Sequence, residues 1–203
     1  MIDLYCERVA PGLWGEPLNV LSNLGYLVAG WLLLRSLRRG PGRDRQALTL
    51  AALPLAIAAG SVLFHVFSTS WARRFDEAPI LAFQLLFVWM YTRRVVLWPP
   101  WAAAVAVVVL ALAVGTGRLV HGLNGSAPYL PPLAVAVVIG VRHRSRSGRL
   151  VLFTPLILFS LAVVFRSVDN AACAAIPTGT HFIWHVLTAF VVYAFAEAVT
   201  RKP

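Results

Sequence analysis

The chain has 203 residues, of which 59% are hydrophobic and only 13% are charged. This is about half the charged share of a typical soluble domain, and the mean hydropathy is +0.75. A soluble fold of this size needs more polar surface, so the composition excludes soluble, disordered and collagen-like classes and leaves a helical membrane protein. Since one spanning helix takes about 20 apolar residues, seven spans use about 140 residues and leave about 60 for termini and loops. We therefore expect a single domain over residues 1–203.

Seven apolar segments follow one another and are separated by arginine clusters or by proline and glycine. The predicted spans are residues 17–36, 47–67, 76–92, 100–117, 127–141, 150–166 and 180–199. The expected fold class is therefore all-α, an integral membrane bundle of seven transmembrane helices.

The formal net charge of +10 sets an orientation for this bundle. With the N-terminus outside, 13 of the 18 lysine and arginine residues fall in inner segments. The positive-inside rule then predicts an outer N-terminus and an inner C-terminus. The inner basic residues would face anionic membrane lipids, and we expect no nucleic-acid partner and infer no protein partner.

The acidic residues lie mostly on the opposite side of the predicted bundle. Six of the eight fall on the outer side: Asp3, Glu7, Glu16, Asp76, Glu77 and Asp169. Because the positive-inside rule acts little on acidic residues, this distribution suggests an outer site that is suited to a cation.

Five polar residues converge near the outer ends of the predicted spans. Ser61 and His65 are four residues apart on the second span, and His181 and His185 repeat this spacing on the seventh, so each pair shares one helix face. Asp76 opens the third span, eleven residues after His65. Polar groups inside a span are costly and functional by default. Three histidines from two helices suit a tetrahedral zinc ion with one open position.

Such a centre would catalyse metal-assisted hydrolysis of an acyl bond. Asp76 could accept a proton from the attacking water, and Ser61 could stabilise the oxyanion. Each residue alone has a simpler interpretation: His65 as a packing partner, Asp76 as a helix N-cap and Ser61 as a small packing residue. Because these residues all lie at the same depth in the membrane, we favour a shared catalytic metal site over the separate interpretations. We assign the other histidines, His121 and His143, to loops.

Three separated motifs resemble the alkaline ceramidases, which belong to the CREST superfamily of seven-helix membrane hydrolases. They are CER with EPLNVLSN at 6–8 and 16–23, SVLFH at 61–65 with Asp76 eleven residues on, and HFIWH at 181–185. The resemblance implies that His65, His181 and His185 bind zinc and that Ser61 and Asp76 form the catalytic pair. It also implies hydrolysis of the amide bond of ceramide, or of a similar lipid amide, to a sphingoid base and a fatty acid.

The resemblance further implies a calcium site. Glu7 and Glu16 match the family positions, Asp3 is offset by one residue, and Val9 stands where the family has an asparagine ligand. Calcium takes six to eight oxygen ligands, which the three acids could supply together with carbonyl groups and water. The alternative is a solvated N-terminus with Glu16 at a helix start.

The two cysteines, Cys6 and Cys173, both lie on the predicted outer side, and the family pattern resembles this arrangement. An even count in an oxidising compartment favours a disulfide, and two free buried thiols are the alternative. Arg166 and Asp169, three residues apart, are spaced to form an ion pair.

Two other functions compete with the amidase. One is a lipid-sensing protein like the haemolysin-III proteins or adiponectin receptors, which share the zinc-site residues. The other is a metal transporter, which the nearly apolar inner half of the bundle disfavours. The compact chain, rich in arginine and alanine, is typical of bacteria. We therefore expect an inner-membrane protein with its site toward the periplasm, for which another lipid amide is an alternative substrate.

Overall fold

The computed structural model describes residues 2–38, 44–120, 122–147 and 153–200, and its regular elements over these residues are all helical. Eight α-helices follow in chain order: α1 Pro17–Ser22, α2 Leu24–Arg38, α3 Arg45–Phe67, α4 Ser70–Arg94, α5 Pro100–Gly117, α6 Leu130–Ser147, α7 Phe153–Ala172 and α8 His181–Thr200. Two short 3-10 turns, Leu123–Gly125 and Ala127–Tyr129, precede α6.

Five helical stretches within the described residues are long and apolar enough to cross a membrane. They are Pro17–Arg38, which joins α1 and α2, and Arg45–Phe67, Pro100–Gly117, Phe153–Ala172 and His181–Thr200. They correspond to the first, second, fourth, sixth and seventh predicted spans. The helix of the third span, α4, has charged residues near both ends, and the apolar helix Ala127–Arg142 of the fifth is shorter. The chain is thus a helical membrane protein, while seven spans and their orientation stay predictions.

The structure contradicts one prediction about a single element and does not describe the residues of two others. Residue 143 lies within α6, so the prediction that His143 is in a loop is wrong. His121 and residues 150–152, where the sixth predicted span begins, lie outside the described residues.

The turn between α3 and α4 differs from the prediction. Ser68 ends α3 in a left-handed conformation, with φ 52°. The Thr69 hydroxyl then accepts a hydrogen bond from the Ala72 N–H and caps α4, which therefore begins at Ser70, six residues earlier than expected. Asp76 lies in the second turn of α4, and its interpretation as a helix N-cap is wrong.

The centre of the bundle is formed by α3 and α8, and half of the residues in each of these stretches are buried. α8 contacts α1, α2, α3, α4 and α7, and α3 contacts α1, α2, α4 and α8. Large side chains such as Leu50, Ile57 and Phe195 fill the space around these two helices. Since α3 and α8 carry the two polar pairs predicted from the sequence, the fold brings both pairs to the interior.

The segment before α1, residues 2–16, lies across the ends of the bundle and is termed the N-terminal strap. The Ile2 N–H donates to the Ser68 carbonyl at 2.7 Å, and the Gly12 N–H donates to the Val66 carbonyl at 3.0 Å. The expected disulfide is present: Cys6 in the strap is bonded to Cys173 just after α7, with their Cα atoms 5.4 Å apart. The strap is therefore fixed to both α3 and α7.

Candidate functional site

Three histidine side chains meet between α3 and α8. His65, His181 and His185 each offer a ring nitrogen, and these nitrogen atoms all lie within 4.8 Å of one another. All three side chains are buried, with exposures of 1–3%. Among the described residues, this is the group of histidine, cysteine or acidic side chains that could hold a metal ion.

The hydrogen bonds of two rings define their tautomers. His65 Nδ1 lies 2.5 Å from Glu16 Oε2, so its N–H donates a hydrogen bond to the carboxylate. His185 Nδ1 lies 2.8 Å from Ser22 Oγ, whose own hydrogen is donated to the Asn19 carbonyl. Ser22 therefore accepts from His185. Assigned from these partners, both histidines are protonated on Nδ1, and each Nε2 presents a lone pair.

These two lone pairs face each other at close range, since the Nε2 atoms of His65 and His185 are 3.3 Å apart. Two acceptors cannot hydrogen-bond to each other, and a buried acceptor without a donor is costly. His185 Nε2 has the Ser61 hydroxyl at 3.5 Å. A cation bound by both nitrogen atoms removes this conflict. The three neutral imidazoles, with a carboxylate behind His65, therefore fit a metal ion such as zinc.

The position of His181 is set by a buried carboxylate at the start of α8. Asp169 accepts hydrogen bonds from the backbone N–H groups of Thr180 at 2.5 Å, His181 at 2.9 Å and Cys6 at 3.0 Å. It thus caps α8 and holds the strap against it. Tyr5 of the strap stacks on the His181 ring, with centroids 3.6 Å apart and planes at 12°.

The predicted ion pair between Arg166 and Asp169 is wrong, because Asp169 is bound by these backbone groups instead. Arg166 is buried and lies over the rings of Tyr5, Tyr129 and Trp184, between 5.1 and 5.4 Å from their centroids. Its guanidinium group is stabilised by cation–π interactions with these three rings.

Ser61 and Asp76 complete the predicted constellation. Ser61 Oγ lies 3.5 Å from His185 Nε2, and the Asp76 carboxyl group interacts with the Ser61 side chain. Gly60 makes this contact possible: a Cβ atom there would lie 2.1 Å from the Phe75 carbonyl oxygen and 3.1 Å from the Asp76 Cα atom. The backbones of α3 and α4 thus approach closely at this point, and all five predicted residues lie in one site.

The acids predicted to bind calcium have other partners. Asp3 is exposed. Glu7 is buried and accepts hydrogen bonds from the N–H groups of Leu18 at 2.6 Å and Asn19 at 2.8 Å, so it caps α1. Burial raises the pKa of the Glu7 carboxyl group, and these two hydrogen bonds oppose that shift.

Glu16 is fully buried between three side chains. Its Oε2 accepts from Asn19 Nδ2 at 2.8 Å and from His65, and its Oε1 forms an ion pair with Arg8. Burial raises the pKa of Glu16 to about 7, while Asn19 and Arg8 act in the opposite direction. With a guanidinium in this position, the arrangement does not fit a calcium ion, which needs six to eight oxygen ligands. Calcium binding stays a prediction.

Sequence reasoning missed several residues that support the site, among them Tyr5, Arg8, Asn19 and Ser22. Part of the signal was present, because Glu16, Asn19 and Ser22 are spaced three residues apart and share one helix face. Tyr5 and Arg8 lie in an irregular segment without such a pattern, so only the folded chain reveals their contacts.

An apolar cavity of about 80 Å³ lies near the site. Its lining includes Tyr26, Phe83, Trp184 and Thr188, drawn from α2, α4 and α8. The ring of Tyr26, one of the lining residues, lies 6.3 Å from the His185 ring between centroids, so the cavity begins near the histidine cluster.

A family model described as Ceramidase matches residues 5–201 of the chain. No curated protein sequence matches the chain significantly. The matched range includes almost the whole strap and all eight helices, and therefore every residue of the histidine cluster.

Proposed function

The chain belongs to the ceramidase family, and we propose that it is a zinc-dependent intramembrane amidase. Its substrate would be ceramide or a similar long-chain lipid amide, cleaved to a sphingoid base and a fatty acid. The observation that carries this proposal is the cluster of three buried imidazoles with Ser61 and Asp76 beside it. The family makes the protein a hydrolase acting on lipid amides, and the cluster supports the metal dependence.

His65, His181 and His185 would hold the metal ion. When bound, zinc supplies the Lewis acidity that activates water and polarises an amide carbonyl near neutral pH. Glu16 and Ser22 fix the rings of His65 and His185 through their Nδ1 atoms, so both Nε2 atoms are available for binding. Such partners behind the ligands orient the rings and increase their basicity.

Asp76 and Ser61 would carry out the proton transfer and charge stabilisation. Asp76 takes a proton from the attacking water and delivers it to the leaving nitrogen, which departs as an amine. The Ser61 hydroxyl, between Asp76 and His185, donates a hydrogen bond to the oxygen of the cleaved carbonyl group. Both residues stand beside the cluster on neighbouring helices.

The apolar cavity supports a substrate with a long hydrocarbon chain. Its lining is almost wholly apolar and includes Ile57, Phe83 and Trp184. An acyl chain buried there would gain hydrophobic free energy and bring its amide group next to His185.

We also propose the predicted topology, with α4 and Ala127–Arg142 as the two remaining spans, the N-terminus outside and the C-terminus inside. The disulfide of Cys6 and Cys173 supports this orientation, because disulfides persist on the oxidising side of a membrane. The strap, the disulfide and the histidine cluster would then all lie toward the periplasmic face of a bacterial inner membrane.

The test compares two neighbouring acids of α4. The variants Asp76→Asn and Glu77→Gln are purified in detergent, and zinc content and turnover of labelled ceramides of several chain lengths are measured. Asp76→Asn should keep its zinc but lose about 10²–10⁴-fold in kcat. Glu77→Gln is the control, since Glu77 pairs with Arg73 and Arg118 and should leave turnover near wild type.

A third variant, His181→Ala, should lose both zinc and turnover. Zinc without turnover of any ceramide would direct the search to other lipid amides or to a lipid-sensing role. Freshly purified wild-type protein without zinc would contradict the proposal.

A further inference from the structure

Arg8 carries a buried positive charge beside the histidine cluster. We propose that its guanidinium group is a built-in cation that replaces a bound calcium ion between the strap and α3, so that the site is held in shape without calcium. Only the description of His65 as a metal ligand rests on the proposed function.

The contacts of Arg8 are those that a bound cation would make. Its side chain is 3% exposed, and its Nη2 atom forms an ion pair with Glu16 Oε1. The same nitrogen donates to the main-chain carbonyl oxygen of His65 at 3.2 Å. Carboxylate and carbonyl oxygens are the ligands that calcium prefers, and here an N–H group binds both.

The buried acids near the strap are neutralised without any added ion. Glu7 binds two backbone N–H groups at the start of α1, and Asp169 binds two at the start of α8. Helix N-termini carry partial positive charge and stabilise such carboxylates. Glu16 accepts from Asn19 and His65, and Arg8 supplies it with a full positive charge.

A calcium ion cannot share this position with Arg8. A guanidinium group stays protonated in proteins and has no lone pair to offer a metal. Its Nε and Nη1 atoms make no hydrogen bond within the described residues, and neither do the buried oxygen atoms Glu16 Oε1, Asn19 Oδ1 and Asn23 Oδ1. Of these oxygen atoms, Glu16 Oε1 forms the ion pair with Arg8. The other predicted ligand, Asp3, is exposed to solvent.

Arg8 also acts on the histidine cluster through a chain of two contacts. Arg8 binds Glu16, and Glu16 binds the Nδ1 atom of His65. Arg8 is therefore a positioning residue, which acts on the histidine cluster through Glu16. Loss of its charge would leave Glu16 buried without a cation and free the His65 ring to turn.

The experiment compares wild-type protein with Arg8→Gln, Arg8→Lys and Arg74→Gln. Arg74 is an exposed arginine of α4, so its variant controls for the loss of one positive charge. Equilibrium dialysis with radiolabelled calcium measures binding, and thermal unfolding is followed in detergent with and without calcium chloride. Retention of zinc against a competing chelator reports on the histidine cluster.

Wild-type protein should bind no stoichiometric calcium and unfold at the same temperature with or without it. Arg8→Gln should lower the melting temperature by more than about 5 °C, because one partner of a buried ion pair is lost. It should also release zinc about 10–100-fold more readily. Arg8→Lys should recover part of both losses, and Arg74→Gln should unfold and retain zinc like the wild type.

One calcium ion per wild-type chain, together with a raised melting temperature, would overturn the proposal. So would an Arg8→Gln variant that unfolds and retains zinc like Arg74→Gln. If Arg8→Gln yields no folded protein, the calcium binding of the wild type and the melting temperature of Arg8→Lys still test the proposal. Absence of turnover would contradict the proposed function alone, since calcium binding and unfolding are measured without substrate.

Discussion

The substitution Gly60→Ala perturbs the contact that brings Asp76 to Ser61. A Cβ atom at position 60 would lie 2.1 Å from the Phe75 carbonyl oxygen, whereas ordinary van der Waals contact begins near 3.4 Å. The neighbouring atom belongs to the backbone of α4 and cannot rotate away. The two helices must therefore separate locally by about 1.3 Å.

Such a displacement acts directly on the catalytic arrangement, because Phe75 precedes Asp76 in the chain. A misplacement of about 1 Å can cost about 10²-fold in rate. We therefore expect kcat to fall about 100-fold in Gly60→Ala. Overpacking should also cost about 1–3 kcal/mol of stability. Zinc content should stay near wild type, since the histidines come from α3 and α8 and not from α4.

The assay measures zinc content, melting temperature and turnover of a labelled lipid amide in detergent. Gly115→Ala is the matched control, because a Cβ atom at position 115 meets nothing within 4 Å. It should match or slightly exceed the wild type in stability, since alanine favours helix more than glycine does. A Gly60→Ala variant with kcat within about threefold of wild type would refute this reasoning.

Three further predictions concern other parts of the molecule. Cys6→Ser and Cys173→Ser should lower the melting temperature by the same amount, and the double variant should lower it no further. The reason is that a disulfide closing so long a loop contributes about 5 kcal/mol in the chain-entropy model. Unfolding that is insensitive to reductant would contradict this. Glu16→Gln should weaken zinc binding about 10–100-fold in a chelator competition, because an amide holds the His65 N–H less strongly than a carboxylate; unchanged affinity would count against that role. The hydrogen bond from Arg94 lowers the pKa of Asp44, so the pair stabilises the fold near neutral pH and loses this effect as the pH falls below about 4. Asp44→Asn should thus lower the free energy of unfolding by less than about 1 kcal/mol near pH 7 and leave it unchanged at low pH. An equal decrease at both pH values would contradict this prediction.

The sequence was informative where burial forces a regular pattern. Ser61 and His65, like His181 and His185, stand out because polar groups at helical spacing in apolar segments are costly and therefore significant. The sequence predicts a turn before Asp76 but not that α4 begins as early as Ser70, because the polar start of this helix does not stand out in the hydropathy pattern. The strap contacts of Arg8 could not be predicted, since they depend on contacts between residues far apart in sequence.

The disulfide also has a consequence for how the protein is made. Cys6 is synthesised before its partner Cys173, which follows 167 residues later. Two of the three histidines come later still, at the start of α8. The nascent chain therefore carries an unfinished site until α8 has been synthesised and inserted. The site can assemble only when α8 has entered the bundle, so activity depends on the insertion of this helix.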